Sequence, residues 1–172
     1  DKLFAELRGA WVKYQLLLFR DQKLTPEQHL AIARKFGDIQ DQGYVENLKG
    51  HPGLFVQEYP AMYQLGVSDI NWHADSSFRP NPTRGSLLYA LDVPEGGGDT
   101  VWADMCMAYD DLSPAWQTFL DGLTAIHDNA AKNMVRLFDQ MGADQLKQMR
   151  KFLAPSQHPV VCRHPESGRK FL

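Results

Sequence analysis

Cysteine is scarce in this chain: 172 residues carry only Cys106 and Cys162, far apart and outside any C-x-x-C arrangement. Neither a zinc site nor a redox pair finds support in that spacing. So few thiols suit a reducing compartment, and a cytoplasmic location is the expectation. Long apolar runs are missing too. Stretches such as Leu16 to Phe19 fall far short of the roughly 20 residues a membrane helix needs. Charge of one sign is never concentrated: 18 basic and 21 acidic side chains leave a formal net charge of −3. That balance argues against a nucleic-acid footprint or a membrane-surface patch. Internal repeats and low-complexity tracts are absent as well. No signal-peptide pattern opens the chain, and it begins with Asp1 rather than Met, so the native N-terminus is expected upstream. With 44% hydrophobic and 23% charged residues, the chain reads as one ordinary globular domain able to bury a core.

Local signals give the organisation. Leu3, Leu7, Ala10 (or Trp11) and Tyr14 recur at helical spacing, which predicts an amphipathic helix at the start. Gln15 to Arg20 reads as a buried strand. The strongest helix signal follows: Thr25 as cap, Pro26 at the first helical position, and Gln28 completing a capping box. Leu30, Ala33 and Phe36 line one face, and Gly37 stops the helix. Further strands are predicted at Leu54–Gln57, Gly85–Val93 and Asp99–Met105, the last two separated by a loop containing Gly96, Gly97 and Gly98. Ser113 and Pro114 start another helix by the same logic, and Gly122 ends it. Ala130–Met141 and Asp144–Leu153 look helical and polar, an insertion or lid near residues 128–155. A last strand, His158–Arg163, leads through Pro165, Glu166, Ser167 and Gly168 into a partner strand at Arg169–Leu172. A hairpin that stops within its second strand leaves backbone groups unpaired. The expectations are a C-terminally incomplete fold and a terminal strand that is an exposed or mobile edge.

The residues that carry chemistry are Trp72, His73, Ala74 and Asp75, followed by Ser76, Ser77 and Phe78. In extended chain, positions i and i+2 project to one side, so the His73 imidazole and Asp75 carboxylate can meet one metal ion. With a distant second histidine they would make the two-histidine, one-carboxylate facial triad of non-haem iron(II) oxygenases, which leaves three coordination positions open. Alone, H-x-D is a weak signal. Asp75 can equally cap a turn, and His73 can be satisfied by a backbone carbonyl.

The wider order of residues adds to it. After His73-Ala74-Asp75 come Gly97-Gly98-Asp99-Thr100-Val101-Trp102-Ala103-Asp104-Met105, then Ala108-Tyr109-Asp110 and Leu112-Ser113. His127 follows, and finally His158-Pro159-Val160-Val161 and His164 through Lys170. From about Leu16 to Leu172 this pattern resembles the taurine dioxygenase and 2,4-dichlorophenoxyacetate dioxygenase (TauD/TfdA) family of iron(II)/2-oxoglutarate-dependent enzymes. The segment Trp72 to Phe78 is closer to the dichlorophenoxyacetate branch.

The resemblance implies a mainly β fold with flanking helices (α+β): a double-stranded β-helix, or cupin-like jelly roll, in one domain over residues 1–172. It makes His73 and Asp75 the first two iron ligands and Thr100 the hydroxyl that helps hold the distal carboxylate of 2-oxoglutarate. Trp102 would wall the pocket or simply pack in the core. The second histidine ligand and the arginine that pairs with 2-oxoglutarate fall beyond Leu172 in the family pattern. No histidine within the chain takes that ligand's place: His51 reads as a loop residue, and His29 as lying on an exposed helix face. His127 ends a strand, while His158 and His164 flank the terminal one. With only two protein donors, iron(II) is expected to bind weakly or not at all. The implied activity is hydroxylation of a small organic substrate with Fe(II), 2-oxoglutarate and O2, releasing succinate and CO2, and it is compatible with a homo-oligomer. In the taurine branch a histidine a few residues after the Phe-Gly that ends the early helix grips the sulfonate. Here Gln42 stands in that region, which argues against taurine, and Asp69 would be unwelcoming to a nearby anion if it faces the pocket. Two other classes remain open at this stage: a cupin-like metal hydrolase or isomerase, and a non-catalytic remnant or binding module on the same scaffold.

Overall fold

A computed structural model describes residues 2–40, 46–58, 72–93, 95–96, 99–128, 147 and 154–172. They fall into two compact units: Asp1–Gln22, Val101–Ile126 and Gln157–Leu172 in the first, and Lys23–Thr100 and His127–Ser156 in the second.

In the first unit, helix α1 spans Lys2–Tyr14, as the apolar spacing predicts. Two short helices lie in mid-sequence, each opened by a side-chain cap that satisfies backbone N–H groups left free by helix geometry. Asp104 Oδ1 accepts from the N–H groups of Cys106 and Met107 at 2.8 and 3.1 Å, starting α3 over Met105–Asp110. Ser113 Oγ accepts from Trp116 N and Pro114 occupies the first turn of α4, Pro114–Leu120. Strands β1 (Thr124–His127) and β2 (Ser156–Pro159) form one two-stranded sheet, and β3 (Cys162–Arg163) and β4 (Lys170–Phe171) a second. The second pair is antiparallel, with Cys162 opposite Phe171 and Arg163 opposite Lys170.

The β3–β4 turn is built by His164. Its Nδ1 accepts from the backbone N–H groups of Glu166 and Ser167, and Gly168 takes the left-handed φ of 70° that closes the turn.

The terminal strand, expected as an exposed or mobile edge, is instead partly covered. Strand β4 packs on α3, Leu172 N donates to Met105 O at 3.3 Å, and Phe171 and Leu172 are half-buried. Ion pairs reinforce the seat: Lys170 Nζ to Asp121 Oδ2 at 2.5 Å and Arg169 Nη2 to Asp110 Oδ2 at 2.9 Å. The Asp121 carboxylate and Tyr109 hydroxyl raise the Lys170 pKa above its ordinary value. The buried side chains beneath are Cys106 and Tyr109.

The second unit is organised around α2, Pro26–Phe36. Its capping box forms as predicted: Thr25 Oγ1 accepts from Gln28 N, and Gln28 Oε1 from Thr25 N. His29, expected on an exposed face, is buried beside Leu30. It stands four residues before Ala33 and seven before Phe36, so helical geometry puts it on the apolar face. Its Nε2 lies 2.9 Å from Leu87 O; a carbonyl only accepts, so Nε2 carries the proton and donates. His51 sits in a loop, as expected, with Nε2 3.5 Å from Glu27 Oε1. Gly53 cannot be replaced in that loop without rearrangement. It has a φ of 85°, and a Cβ there would overlap the Ile39 side chain.

The strand expectations fare less well. Among the described residues, Gln15–Arg20, Leu54–Gln57, Gly85–Val93 and Asp99–Asp104 carry no ladder hydrogen bonds. The strand expected to reach Met105 instead ends where Asp104 caps a helix, and His158–Arg163 divides into β2 and β3 around Val160 and Val161. Alternation marks a chain that can pair, whereas a ladder needs a second segment alongside it. The predicted helices at Ala130–Met141 and Asp144–Leu153 lie outside the described residues, apart from helical Lys147. No helix among the described residues is long and apolar enough to cross a membrane.

Candidate metal centre

Trp72, His73 and Ala74 run extended into a turn over Asp75–Phe78. The turn is held by Ser77 N donating to Ala74 O and Arg79 N to Ser76 O. Ser76 has a φ of 56°, a left-handed conformation that costs a non-glycine residue energy and needs support from its surroundings. That support is visible. Ser76 and Phe78 are both buried, anchoring the turn while leaving the residues before it in solvent.

The extended chain before the turn brings His73 and Asp75 to the same side, as their spacing predicts. Nε2 of the first lies 3.4 Å from Oδ1 of the second, with the side chains 72% and 59% exposed. Two donors bound at right angles to one ion with bonds of about 2.1 Å stand about 3.0 Å apart. The observed separation therefore needs only a small adjustment to admit a metal. The second oxygen is already occupied: Ser86 Oγ donates to Asp75 Oδ2 at 2.9 Å. The donor set is one imidazole nitrogen and one carboxylate oxygen, a pair suited to iron(II), manganese(II) or zinc(II). Among the described residues no third His, Cys, Asp or Glu joins them.

The other candidates are more scattered. Thr100 belongs to the same compact unit as His73, but it lies on unladdered chain with its side chain exposed, not on a paired strand as expected. Trp102 is 61% exposed, which rules out simple core packing within the described residues. His127 closes β1, His158 lies in β2 and His164 shapes the β3–β4 turn. Gln42 and Asp69, read as arguments about substrate, lie outside the described residues. Sequence reasoning missed Ser86. Its only signal is an aliphatic hydroxyl set in the otherwise apolar or aromatic stretch from Gly85 to Leu91.

Comparison with known proteins bears on this arrangement. The family described as "Taurine catabolism dioxygenase TauD, TfdA family" matches residues 1–172. The chain is 33% identical over 177 residues to an (S)-phenoxypropionate/alpha-ketoglutarate-dioxygenase of Sphingobium herbicidovorans, covering 100% of this chain and 61% of that protein. It is 34% identical over 174 residues to an alpha-ketoglutarate-dependent 2,4-dichlorophenoxyacetate dioxygenase of Cupriavidus pinatubonensis, covering 91% and 58%. Among solved structures, AAD-2 in complex with Mn(II) and N-oxalylglycine superposes with a TM-score of 0.72 at 34% identity, covering 98% of this chain and 61% of that one. The chain thus spans about three fifths of the length of these relatives.

Proposed function

Because the chain belongs to the taurine catabolism dioxygenase TauD, TfdA family, we propose that the whole protein is an iron(II)- and 2-oxoglutarate-dependent dioxygenase. It hydroxylates a small organic substrate with O2 and releases succinate and carbon dioxide. The observation that carries this reading is the approach of His73 Nε2 to Asp75 Oδ1 at 3.4 Å. Iron(II) bound there supplies the oxidative decarboxylation of 2-oxoglutarate and the oxidation of a substrate C–H bond. His73 contributes an imidazole nitrogen and Asp75 one carboxylate oxygen, with a second histidine coming from outside the described residues. With that second histidine the donor set would be three protein groups, and the metal would have positions left for 2-oxoglutarate and O2. Thr100 donates its hydroxyl to the distal carboxylate of 2-oxoglutarate, a role its exposed side chain in the same unit supports.

The surrounding frame is a jelly roll, one domain over residues 1–172, with a helical insertion near 128–155. A cytoplasmic location suits the scarcity of thiols. Both curated relatives above are named for aryloxyalkanoic acids, so that is the first substrate class to assay.

Turnover of 2-oxoglutarate tests the reading. The purified product of the intact gene, given Fe(II), 2-oxoglutarate and air without any second substrate, is expected to form succinate slowly. An aryloxyalkanoic acid of the right shape should accelerate it. A metal hydrolase, an isomerase or a non-catalytic binding module would leave 2-oxoglutarate unchanged.

A further inference from the structure

A carboxylate that ligates a metal through one oxygen has a second oxygen to satisfy, and the torsion that swings its plane is soft. Asp75 meets both requirements through one contact. Ser86 Oγ donates to Oδ2 at 2.9 Å, while Oδ1 faces His73 Nε2. If the Ser86 bond were lost, the carboxylate could rotate, exchange its oxygens or turn toward solvent, since the side chain is 59% exposed.

Ser86 is itself held from several directions. The next residue's carbonyl, Leu87 O, accepts from the buried His29 Nε2 at 2.9 Å. Thr83 Oγ1 donates to Gln40 Oε1 at 2.5 Å, and Tyr89 OH accepts from Leu24 N at 3.4 Å. The Tyr89 ring also meets the edge of His29, with centroids 6.2 Å apart. Residues 83, 87 and 89 are therefore tied to α2 and to the chain on either side of it. The only side-chain hydroxyl between these ties is the one that reaches Asp75.

We propose that Ser86 is a positioning residue for the metal, its hydroxyl fixing the Asp75 carboxylate so that Oδ1 is presented beside the His73 nitrogen. The inference rests on the reading of His73 and Asp75 as metal ligands. Ser86 touches neither metal nor substrate. It acts through Asp75, and partners of this kind typically change metal affinity by about 10–100-fold when removed.

The test is anaerobic Mn(II) titration of the intact gene product, with free Mn(II) counted by electron paramagnetic resonance, so no turnover is needed. Wild type is compared with Ser86→Ala, Ser86→Thr and Asp75→Ala, and the metal-free melting temperature of each is recorded. Ser86→Ala is expected to weaken Mn(II) binding by about 10–100-fold with its metal-free melting unchanged. Ser86→Thr, which keeps the hydroxyl, is expected to bind close to wild type. The proposal is overturned if Asp75→Ala abolishes binding while Ser86→Ala leaves it intact. It is equally overturned if Ser86→Ala and Ser86→Thr weaken binding alike, or if metal-free Ser86→Ala melts well below wild type. Unchanged Mn(II) binding by Asp75→Ala is a different failure, removing the ligand assignment beneath the proposal.

Discussion

His73→Ala in the intact gene product is expected to lower 2-oxoglutarate turnover by on the order of a thousandfold, to the background of free iron. The imidazole is one of only two metal donors that the described residues bring together, 3.4 Å from its carboxylate partner. Removing it takes away one of the three protein donors proposed for the iron, and the remaining carboxylate oxygen holds several divalent ions without selecting iron. The His73 side chain is 72% exposed, so the folded state should tolerate alanine. Loss of turnover with an unchanged melting temperature is the combined result to look for. Succinate formation by His73→Ala at half the wild-type rate would remove the residue from the metal centre.

Phe78→Ala is expected to have the largest effect on stability, about 3–5 kcal/mol. The ring is 5% exposed and ends the turn that begins at Asp75, so alanine would leave a cavity beneath the candidate site. A cost of that size is a large share of the roughly 5–15 kcal/mol that holds a typical domain folded. Ser76 in the same turn sits at a φ of 56°, a conformation that its surroundings must hold. Urea unfolding reads the effect as a lowered midpoint with little change in slope. A shift below about 1 kcal/mol would mean the turn collapses around the missing ring at little cost, and Phe78 would not be its anchor.

The features legible in the sequence are those encoded within a few neighbouring residues. Thr25, Pro26 and Gln28 announce α2 because cap, first turn and reciprocal bond fall within four positions. Ser113 and Pro114 do the same for α4. The His164–Gly168 turn was marked by its proline, serine and glycine, although the accepting role of His164 Nδ1 was not. His73 and Asp75 were readable because an i, i+2 spacing in extended chain has one geometric consequence.

Non-local relations were harder. Gly85–Val93 has the composition of a strand, but nothing within those residues names the segment that would pair with it. Ser86 and Asp75 are 11 residues apart and His29 and Leu87 are 58 apart, so neither contact leaves a spacing pattern. The burial of His29 is legible in the sequence, because four- and seven-residue steps place it on one helix face with Ala33 and Phe36. The cover on the terminal strand comes from α3, about 60 residues earlier in the chain, and no local pattern in Arg169–Leu172 points to that helix.

Anomalous diffraction decides whether His73 and Asp75 share one metal ion. Crystals of the intact gene product grown with Mn(II) are expected to show one strong anomalous peak within about 2.3 Å of both His73 Nε2 and an Asp75 carboxylate oxygen. A strong peak elsewhere, with His73 and Asp75 ordered but bound to no ion, would contradict the account.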